Sequence, residues 1–321
     1  MRTTWSVVRS TRAAWLAALF MVFAVAATAA DRPKITVVYH DTGIEFGQVI
    51  KTGALQAGKD FGVDVEFVGP IGIKVDEQVA IIENAITKRV DGLAVSNVNG
   101  EALNPMLDKA IAAGIPTVTF NSDADGSKRM AFYGQNLVKS GEVQAENLVK
   151  HMGDKGKILI ITGEAAASWS QDREQGVRNG MAKHPGVTIV NLISTGWEEQ
   201  SQYAAIENAL LANQDLTGIA SLDAATTPAT GRALLRMGRK GKVKHVGHDL
   251  IPETLDNIAA GATNAALSQN PFMQGYLPVK ALCEYIKDKK PLESVDTGIL
   301  LVDDTNVEEY LDKLEKGEPI G

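Results

Sequence analysis

Short apolar runs alternate with longer stretches along most of the chain, from Lys34 to Leu301. In the longer stretches apolar residues recur every three or four positions, as on one face of an amphipathic helix, whereas the short runs have the length of buried strands. Regular alternation of strands and helices is typical of repeated βα units that form a parallel sheet. The pattern therefore predicts an α/β fold, and the number of units is enough for two sheets.

Each half of the chain supplies its own set of units. We predict strands at ITVVYH, VDVEFV, GLAVS, PTVTF and MAFYG in the first half, and at KILIIT, VTIVNLI, GIASL and VKHVG in the second. Helices of the second half are expected at residues 137–152, 171–183, 199–213 and 229–237. No low-complexity linker separates the halves, so we expect the chain to cross between two domains on short extended segments near Gly134, Gln269 and Gly298. Pro278 should delay or kink the helix after Phe272.

The stretch VKHVGHDLIPETLDNIAAGATNAALSQNP contains a strand, a turn, a helix and a second strand. Pro252 suits the first turn of the helix, and Gly261 suits a left-handed cap at its end. Pro271 then moves Asn270 out of the helical region. Asp249 and Gln269 fall at the carboxyl ends of the two strands, the edge at which open parallel α/β sheets bind ligands.

Residues 1–30 have the pattern of an export signal. Three arginines precede the apolar run AAWLAALFMVFAVAA, and the small residues ATAA precede Asp31. The alternative is a retained membrane anchor, but the uncharged run here is barely long enough to span a membrane. We expect cleavage and a periplasmic mature protein; no cysteine stands directly after the predicted cleavage site, where Asp31 lies, so lipid attachment is not indicated.

The charge and the single cysteine narrow the classes of function. Removal of residues 1–30 takes three of the 32 basic residues and none of the 39 acidic ones, which leaves 29 − 39 = −10. This charge argues against nucleic-acid binding. The only cysteine, Cys283, lies in an apolar pattern without a disulfide partner and is expected to be buried packing.

Motifs for cofactors and metals are absent from the sequence. It has no Gly-x-Gly-x-x-Gly after a strand, no phosphate-binding loop, no Gly-x-Ser-x-Gly and no His-Glu-x-x-His, and its five histidines include no pair at metal spacing. We therefore expect no cofactor. Two His-Asp dipeptides, at 40–41 and 248–249, suggest a general base, but neighbours in a strand point to opposite faces. A glycosidase would need two carboxylates flanking a scissile bond, a spacing that the sequence does not reveal.

A set of polar and aromatic residues follows the predicted strands and suits a neutral polyol. Each ligand hydroxyl both donates and accepts, so a dry pocket needs carboxylates, amides and a guanidinium, with aromatic faces against the C–H groups of the ring. The candidates are Tyr39, His40, Asp41, Asn121, Asp123, Arg173, Trp197, Asp223, Asp249 and Gln269. Each alone is weak evidence, because polar loop ends are ordinarily solvated.

At this point the sequence resembles the periplasmic sugar-binding proteins of ABC importers, specifically the ribose-binding-like type I class. The resemblance rests on GQVIKTGALQAGKDFGVDV, AIAAGIPTVTFNSDADGSKR, QDREQGVRNG and GHDLIPETLDNIAAGATNAALSQNPFMQGY. It implies two doubly wound, Rossmann-like domains joined by three strands, with a sugar in the cleft and closure by hinge bending. The implied limits are 31–134 plus 270–297 for the N-terminal lobe and 135–269 plus 298–321 for the C-terminal lobe.

The resemblance also implies roles for individual residues. Phe46 looks like the stacking aromatic of the first helix, and Arg173 matches the arginine of an R-x-x-G pattern. Asn121, Asp123, Trp197, Asp223, Asp249 and Gln269 fall where the family has ligand contacts. Phe46 and Trp197 have packing as their alternative roles, and Arg173 has a surface position. The Asp249 carboxylate is expected at the exposed cleft edge, with a helix-terminus role as its alternative.

Two departures from the family leave the identity of the sugar open. Gly47 stands where many members have a second aromatic, and His248 replaces a usual phenylalanine; Trp169 is a candidate to compensate. A cyclitol or a furanose-like signal molecule remains open as the ligand. We expect a monomeric, non-enzymatic receptor that captures a small sugar or polyol and delivers it to an ABC permease and ATPase. The alternatives are a sensor of a sugar or signal molecule and, less favoured, a secreted carbohydrate-active enzyme.

Overall fold

A computed structural model describes Met1 and residues 32–320. The fold class is confirmed: these residues form two six-stranded sheets with helices on both faces. The export pattern at residues 1–30 lies outside the described residues apart from Met1. In the described part of the chain, no helix combines the length and the apolar character that crossing a membrane requires.

The first sheet holds the strands of the first half and one late strand. Its strands are β1 Lys34–Val38, β2 Asp64–Val68, β3 Gly92–Val95, β4 Thr117–Phe120, β5 Phe132–Gly134 and β11 Val295–Asp296, in the order β11-β5-β4-β3-β1-β2 and all parallel. Its helices are α1 Glu45–Phe61, α2 Val75–Lys88, α3 Gly100–Ala112 and α9 Pro271–Asp288. We call these elements the first lobe.

Helices α1 and α9 cover one face of this sheet and α2 and α3 the other, because alternate strand residues point to opposite sides. Ile35 and Val37 pack under α1 and α9, whereas Val38 packs under α2 and α3. Gly275 lets α9 approach α1 closely, since a Cβ there would lie 1.9 Å from the main-chain oxygen of Ile50.

The second sheet repeats the topology of the first. Its strands are β6 Gly156–Thr162, β7 Val187–Ser194, β8 Leu216–Ser221, β9 Lys244–His248, β10 Ala265–Ser268 and β12 Leu300–Asp303, in the order β12-β10-β9-β8-β6-β7, with only β12 antiparallel. Its helices are α4 Leu137–Met152, α5 Ser168–Met181, α6 Glu199–Ala212, α7 Thr226–Arg236, α8 Pro252–Ala259 and α10 Val307–Glu315. These elements form the second lobe. In each sheet the strand order reverses beside the first strand of its lobe, which places a ligand crevice at the carboxyl ends of the strands.

The chain passes between the sheets three times, at residues 134–137, 268–271 and 296–300. We call these segments the hinge crossings. Gln135 in the first crossing joins all three, because its side-chain Nε2 donates to the main-chain oxygens of Ser268 at 3.2 Å and Gly298 at 2.9 Å. The lobe limits predicted from the sequence stay a proposal.

Several elements differ from the sequence-based expectation. Helices α5 and α7 begin three residues earlier than predicted, at Ser168 and Thr226. Helix α9 begins at Pro271 and continues through Pro278, because burial of its face against α1 and the sheet outweighs the local preference of proline. Asn270 lies outside the right-handed region, as expected, and caps α9 by accepting a hydrogen bond from the Met273 N–H. Helix α10 was not predicted from the sequence.

Candidate functional site

A cavity lies between the two lobes. Ten of the thirteen predicted residues line it: Tyr39, His40, Phe46 and Asn121 from the first lobe, and Trp169, Arg173, Trp197, Asp223, Asp249 and Gln269 from the second lobe and its hinge crossing. The structure thus brings together residues that are up to 230 positions apart in sequence, from Tyr39 to Gln269.

The fold explains this convergence. Tyr39 and His40 follow β1, Asn121 follows β4, Asp223 follows β8 with one residue between, and Asp249 and Gln269 directly follow β9 and β10. All are carboxyl ends of parallel strands, where loops carry side chains that no sheet partner constrains. The remaining members come from the first turn of α1, the first two turns of α5 and the loop before α6.

Asn121 and Asp249 both have left-handed backbones, with φ values of 61° and 71°. Only a few per cent of residues other than glycine adopt this region, and asparagine and aspartate are enriched among them. Both are held by main-chain bonds to the neighbouring strand, from Asn121 N to Tyr133 O at 3.1 Å and from Asp249 N to Leu267 O at 2.8 Å. Backbones of this kind cluster at ligand sites.

Arg173 and Asp249 form a buried ion pair at the cavity wall. The Nη1 atom of Arg173 lies 3.7 Å from Oδ2 of Asp249, and each side chain is 3% exposed. Arg173 also donates to the Leu222 main-chain oxygen at 2.6 Å, and Gln269 Nε2 donates to Asp249 Oδ1 at 2.6 Å. Burial raises the pKa of Asp249, although Arg173 and Gln269 act to lower it. The prediction of an exposed Asp249 carboxylate is wrong for this arrangement of the lobes, because its partners cover it.

Asp223 combines a structural and a cavity-lining role. Its Oδ1 accepts hydrogen bonds from the main-chain N–H groups of Ala225 and Thr226 at the start of α7, and its Oδ2 accepts from Gly163 N at 2.8 Å. A carboxylate at a helix start is stabilised by these unpaired N–H groups and by the helix dipole. The same carboxylate borders the cavity and retains lone pairs for a ligand.

His40 is neutral in this site. Burial lowers the pKa of the ring to about 3. Its Nδ1 lies 2.8 Å from Ser96 Oγ, and Ser96 donates its own hydrogen to Asn121 Oδ1 at 3.1 Å. Since that hydroxyl has one hydrogen, His40 must donate from Nδ1, which leaves Nε2 as an acceptor. Tyr39 keeps its phenolic proton because burial raises its pKa well above the usual value.

Aromatic rings supply the apolar part of the lining. Phe46 at the start of α1 is 4% exposed, and the rings of Trp169 and Trp197 lie 6.4 Å apart at 60°. Trp197 rests on Gly163, where a Cβ would lie 3.0 Å from the indole ring. Within the described residues, neither indole N–H nor the Nε of Arg173 has a hydrogen-bond partner. All three side chains line the cavity, and buried donors without a partner are the groups that a ligand would satisfy.

Three predicted residues do not line the cavity. Asp41 holds the loop before α1, accepting at Oδ1 from the N–H groups of Gly43 and Gly72. Asp123 is paired with Arg129 and bonded to Thr119 Oγ1, so its carboxylate is turned to its own loop. His248 is fully buried behind Asp249. Asp41 and His248 each adjoin a cavity residue, and neighbouring residues along a strand point to opposite sides.

Part of the lining, and the residues that support it, were not predicted from the sequence. Ile44, Leu137, Ala224 and Ala225 also border the cavity, but small and aliphatic residues near strand ends carry no signal that separates a lining role from packing. Behind the lining, Ser96 and Gln274 are fully buried and bonded to cavity residues. Gln274 lies in PFMQGY, five residues after Gln269, and this spacing from a predicted contact is the one signal that points to it.

The two lobes also contact each other at the cavity rim, at the first residue of α5. Ser168 Oγ donates to the main-chain oxygen of Asn97 at 2.9 Å and lies 2.9 Å from Ser122 Oγ, while its N–H donates to Val98 O at 3.2 Å. Trp169 packs into the apolar cluster of the first lobe that contains Val98. These contacts hold the lobes together on the side of the cavity away from the hinge crossings.

The site has the composition of a binding pocket for a polyhydroxylated molecule. It combines two carboxylates, two amides, a guanidinium, a neutral imidazole and several aromatic faces. In the described residues, no group of three or more His, Cys, Asp or Glu side chains is arranged to hold a metal ion.

Residues 35–290 match the family described as periplasmic binding protein domain. The chain is 24% identical over 296 residues to a xylose/arabinose-binding protein of Sulfolobus acidocaldarius, covering 87% of this chain and 73% of the relative. It is 26% identical over 283 residues to a D-ribose/D-allose-binding protein of Pseudomonas aeruginosa, covering 85% and 88%.

A solved structure of an ABC transporter solute-binding protein from Burkholderia graminis, in complex with D-arabinose, superposes with a TM-score of 0.84. Its sequence is 28% identical, and the alignment covers 88% of this chain and 98% of that protein. A carbohydrate transporter solute-binding protein from Agrobacterium radiobacter, also with D-arabinose, gives a TM-score of 0.83 at 26% identity, covering 90% and 99%. Sequence, topology and site agree, and the chain belongs to the periplasmic binding proteins, in the type I class of sugar-binding members.

Proposed function

We propose that this protein binds a small neutral sugar or polyol in the cavity between its lobes and delivers it to an ABC importer. The observation that carries the proposal is the convergence of ten candidate side chains from both lobes on one buried cavity. The lining contains both hydrogen-bond donors and acceptors, as a ligand whose hydroxyls do both requires. The relatives named for arabinose, xylose, ribose and allose support a monosaccharide of five or six carbons.

Charge favours a neutral ligand over an acidic one. The lining contains the carboxylates of Asp223 and Asp249 against the single guanidinium of Arg173, and His40 is neutral. A buried anionic ligand would meet an excess of negative charge in a medium of low dielectric constant. We therefore expect aldoses and polyols to bind more tightly than the corresponding sugar acids.

Binding without turnover is part of the proposal. The relatives are named as binding proteins, which supports a receptor and not an enzyme. The export pattern at residues 1–30 and the family support a periplasmic location, where such a receptor would meet the permease and ATPase of its importer. We propose that it acts as a monomer, with both lobes of one chain enclosing the ligand.

A thermal-shift screen tests this proposal. The mature chain is melted with D-arabinose, D-ribose, D-xylose, D-allose and xylitol in turn, and with D-arabinonate as the acidic comparison. A ligand that binds the folded state raises the melting temperature by mass action. We expect at least one neutral compound to do so and to be recovered chemically unchanged. Recovery of an altered sugar at catalytic yield would contradict the receptor function.

A further inference from the structure

A chain of hydrogen bonds runs behind the cavity from the first lobe to the second, with one branch in which Asn121 Nδ2 also donates directly to Gln269 Oε1 at 3.3 Å. Its bonds are His40 Nδ1 to Ser96 Oγ at 2.8 Å, Ser96 Oγ to Asn121 Oδ1 at 3.1 Å, Asn121 Nδ2 to Gln274 Oε1 at 2.9 Å, Gln274 Nε2 to Gln269 Oε1 at 3.1 Å and Gln269 Nε2 to Asp249 Oδ1 at 2.6 Å. Every member is buried. Four of the six line the cavity, whereas Ser96 and Gln274 do not.

One obligate acceptor fixes the direction of the whole chain. The main-chain oxygen of Gln269 can only accept, and Gln274 Nε2 donates to it at 2.9 Å. The other side-chain atom of Gln274, Oε1, must therefore face Asn121, which presents its NH₂ group and turns Oδ1 to Ser96. The second hydrogen of Gln274 Nε2 meets Oε1 of Gln269, so Gln269 presents its own NH₂ group to Asp249.

Gln274 also binds the hinge crossings. Its Nε2 lies 3.2 Å from Thr297 Oγ1 in the third crossing, and Thr297 Oγ1 donates to the Gln269 main-chain oxygen of the second crossing at 2.8 Å. Gln274 itself is fully buried in the first turn of α9, where its neighbour Gly275 packs against α1. Gln274 therefore contacts two crossings and two cavity residues without itself lining the cavity.

We propose that Gln274 is a positioning residue for ligand binding. Its hydrogen bonds hold the side-chain amides of Asn121 and Gln269 in the orientation that faces the ligand. Because Gln274 also bonds to the second and third crossings, this orientation depends on how the crossings are arranged when the lobes are closed. The proposal rests on the proposed function, because the effect is on affinity for the sugar. A residue that only stabilised the fold would change the melting temperature and leave the dissociation constant unchanged.

Gln274→Glu distinguishes a positioning role from a role in stability alone. The substitution preserves the side-chain volume and removes the NH₂ donor of Gln274. An ionised carboxylate would face two acceptors of Gln269, its main-chain oxygen and Oε1, so the Gln269 amide would have to turn and lose its bond to Asp249. A protonated carboxyl group has one O–H, which can replace one N–H of the original amide. The affinity of this variant should therefore improve as pH falls and the carboxylate is protonated.

The matched control is Gln144→Glu. Gln144 is a fully buried glutamine in α4 whose Nε2 donates to the main-chain oxygens of Ser221 and Val246, at 2.8 Å each. It contacts neither the cavity nor a crossing, so its substitution should lower the melting temperature without changing affinity.

A milder variant, Thr297→Val, removes the hydroxyl between Gln274 and Gln269 and keeps the site intact.

Titration calorimetry on the mature chain measures the dissociation constants, with D-arabinose, D-ribose, D-xylose, D-allose and xylitol as separate probes at about pH 5.5 and about pH 9. At the higher pH we expect Gln274→Glu to bind at least about tenfold more weakly than the wild type, which corresponds to about 1.4 kcal/mol. That ratio should shrink at the lower pH. Gln144→Glu should stay within about twofold of the wild type, and Thr297→Val should weaken binding about threefold, or about 0.7 kcal/mol.

Each result bears on the proposal. A dissociation constant for Gln274→Glu equal to that of the wild type at both pH values would overturn it, as would an equal loss in Gln144→Glu. If Gln274→Glu does not fold, unchanged binding by Thr297→Val contradicts the proposal and a threefold loss supports it. If no probe binds the wild type, the proposed function fails first and this inference fails with it.

Discussion

Asn121 and Asp249 occupy the same position in the two sheets. Each follows the fourth strand of its lobe along the chain, β4 or β9, and each has a left-handed backbone, with φ values of 61° and 71°. One amide and one carboxylate thus enter the cavity from equivalent corners of the two lobes. Their link through Gln269 and Gln274 makes the two corners parts of one polar surface.

Asp249→Asn should abolish most of the ligand-induced rise in melting temperature. Asparagine tolerates the left-handed backbone, so the change removes mainly charge and one acceptor. Hydrogen bonds to a charged group contribute about 1.5–3 kcal/mol each, and weakening two of them lowers affinity about a hundredfold. Asp256→Asn, on the exposed side of α8, is the control and should retain the full ligand-induced rise. A normal rise in Asp249→Asn would remove Asp249 from the ligand contacts.

Asp249→Ala should also destabilise the protein without ligand. Alanine in a left-handed conformation costs about 1–2 kcal/mol, and the variant leaves the Arg173 charge buried without its carboxylate partner. This outcome differs from the sequence-based expectation of an exposed carboxylate that can be removed at little cost. Denaturant unfolding without ligand checks it: because both variants leave Arg173 without its carboxylate partner, a midpoint equal to that of Asp249→Asn would contradict the backbone cost.

Ser168→Ala should weaken ligand binding while leaving each lobe intact. The substitution removes two hydrogen bonds between the lobes, to Asn97 and to Ser122. At about 0.5–1.5 kcal/mol each, partly replaced by bonds to water, their loss should raise the dissociation constant about tenfold.

Ser170→Ala is the matched control, because Ser170 lies two residues further along α5 and bonds to Thr162 of its own lobe at 2.9 Å. It should lower the melting temperature and keep the affinity. Equal affinities for the two variants would mean that the Ser168 contacts do not contribute to holding the ligand.

Stability should fall as the pH is lowered from about 6.5 towards 3, in part because of His245. This histidine is buried between Thr263 and Ser221, and burial lowers its pKa from 6.5 to about 3. The unfolded chain therefore binds a proton in this range that the folded chain does not, and unfolding becomes more favourable as pH falls. At pH 5 the effect is about 2 kcal/mol for one such residue.

The measurement is denaturant unfolding of the wild type and His245→Gln between about pH 5 and 7. The variant should have lower stability at pH 7, because its hydrogen bonds differ, and a flatter dependence on pH. An unchanged slope would mean that His245 does not titrate differently in the folded and unfolded chains.

Ligand should draw the lobes together about the three crossings. The chain crosses without any long linker, and Gln135 joins the three segments by hydrogen bonds, so bending here moves the lobes as units. Small-angle scattering should show a smaller radius of gyration with ligand, and the liganded profile should match that calculated from the present structure. An unchanged profile at saturating ligand would indicate a fixed cleft.

The fold was predictable because its signals are periodic and local. Strand and helix lengths, Gly62, Pro252 and Gly261 place most elements within a few residues. The start of α5 at Ser168 was missed because its first turn has no capping side chain, and its position depends on contacts with the first lobe.

The site was only partly predictable, for a different reason. Residues at strand ends, such as Asn121 and Asp249, were found because topology brings all carboxyl ends together. Asp41 and His248 do not line the cavity, and the sequence alone does not fix which of two adjacent residues faces it. Gln274 was not assigned a role, since its function depends on bonds to residues up to 153 positions away.

Titration calorimetry of the wild-type mature chain with D-arabinose, D-ribose, D-xylose, D-allose and xylitol tests the central claim most directly. We expect at least one of them to bind saturably at one site per chain, with a negative heat-capacity change as the cavity closes over it. The same compound should show no measurable heat with Asp249→Asn at the same concentrations. Absence of binding by all five, or equal binding by the variant, would contradict a sugar site between the lobes.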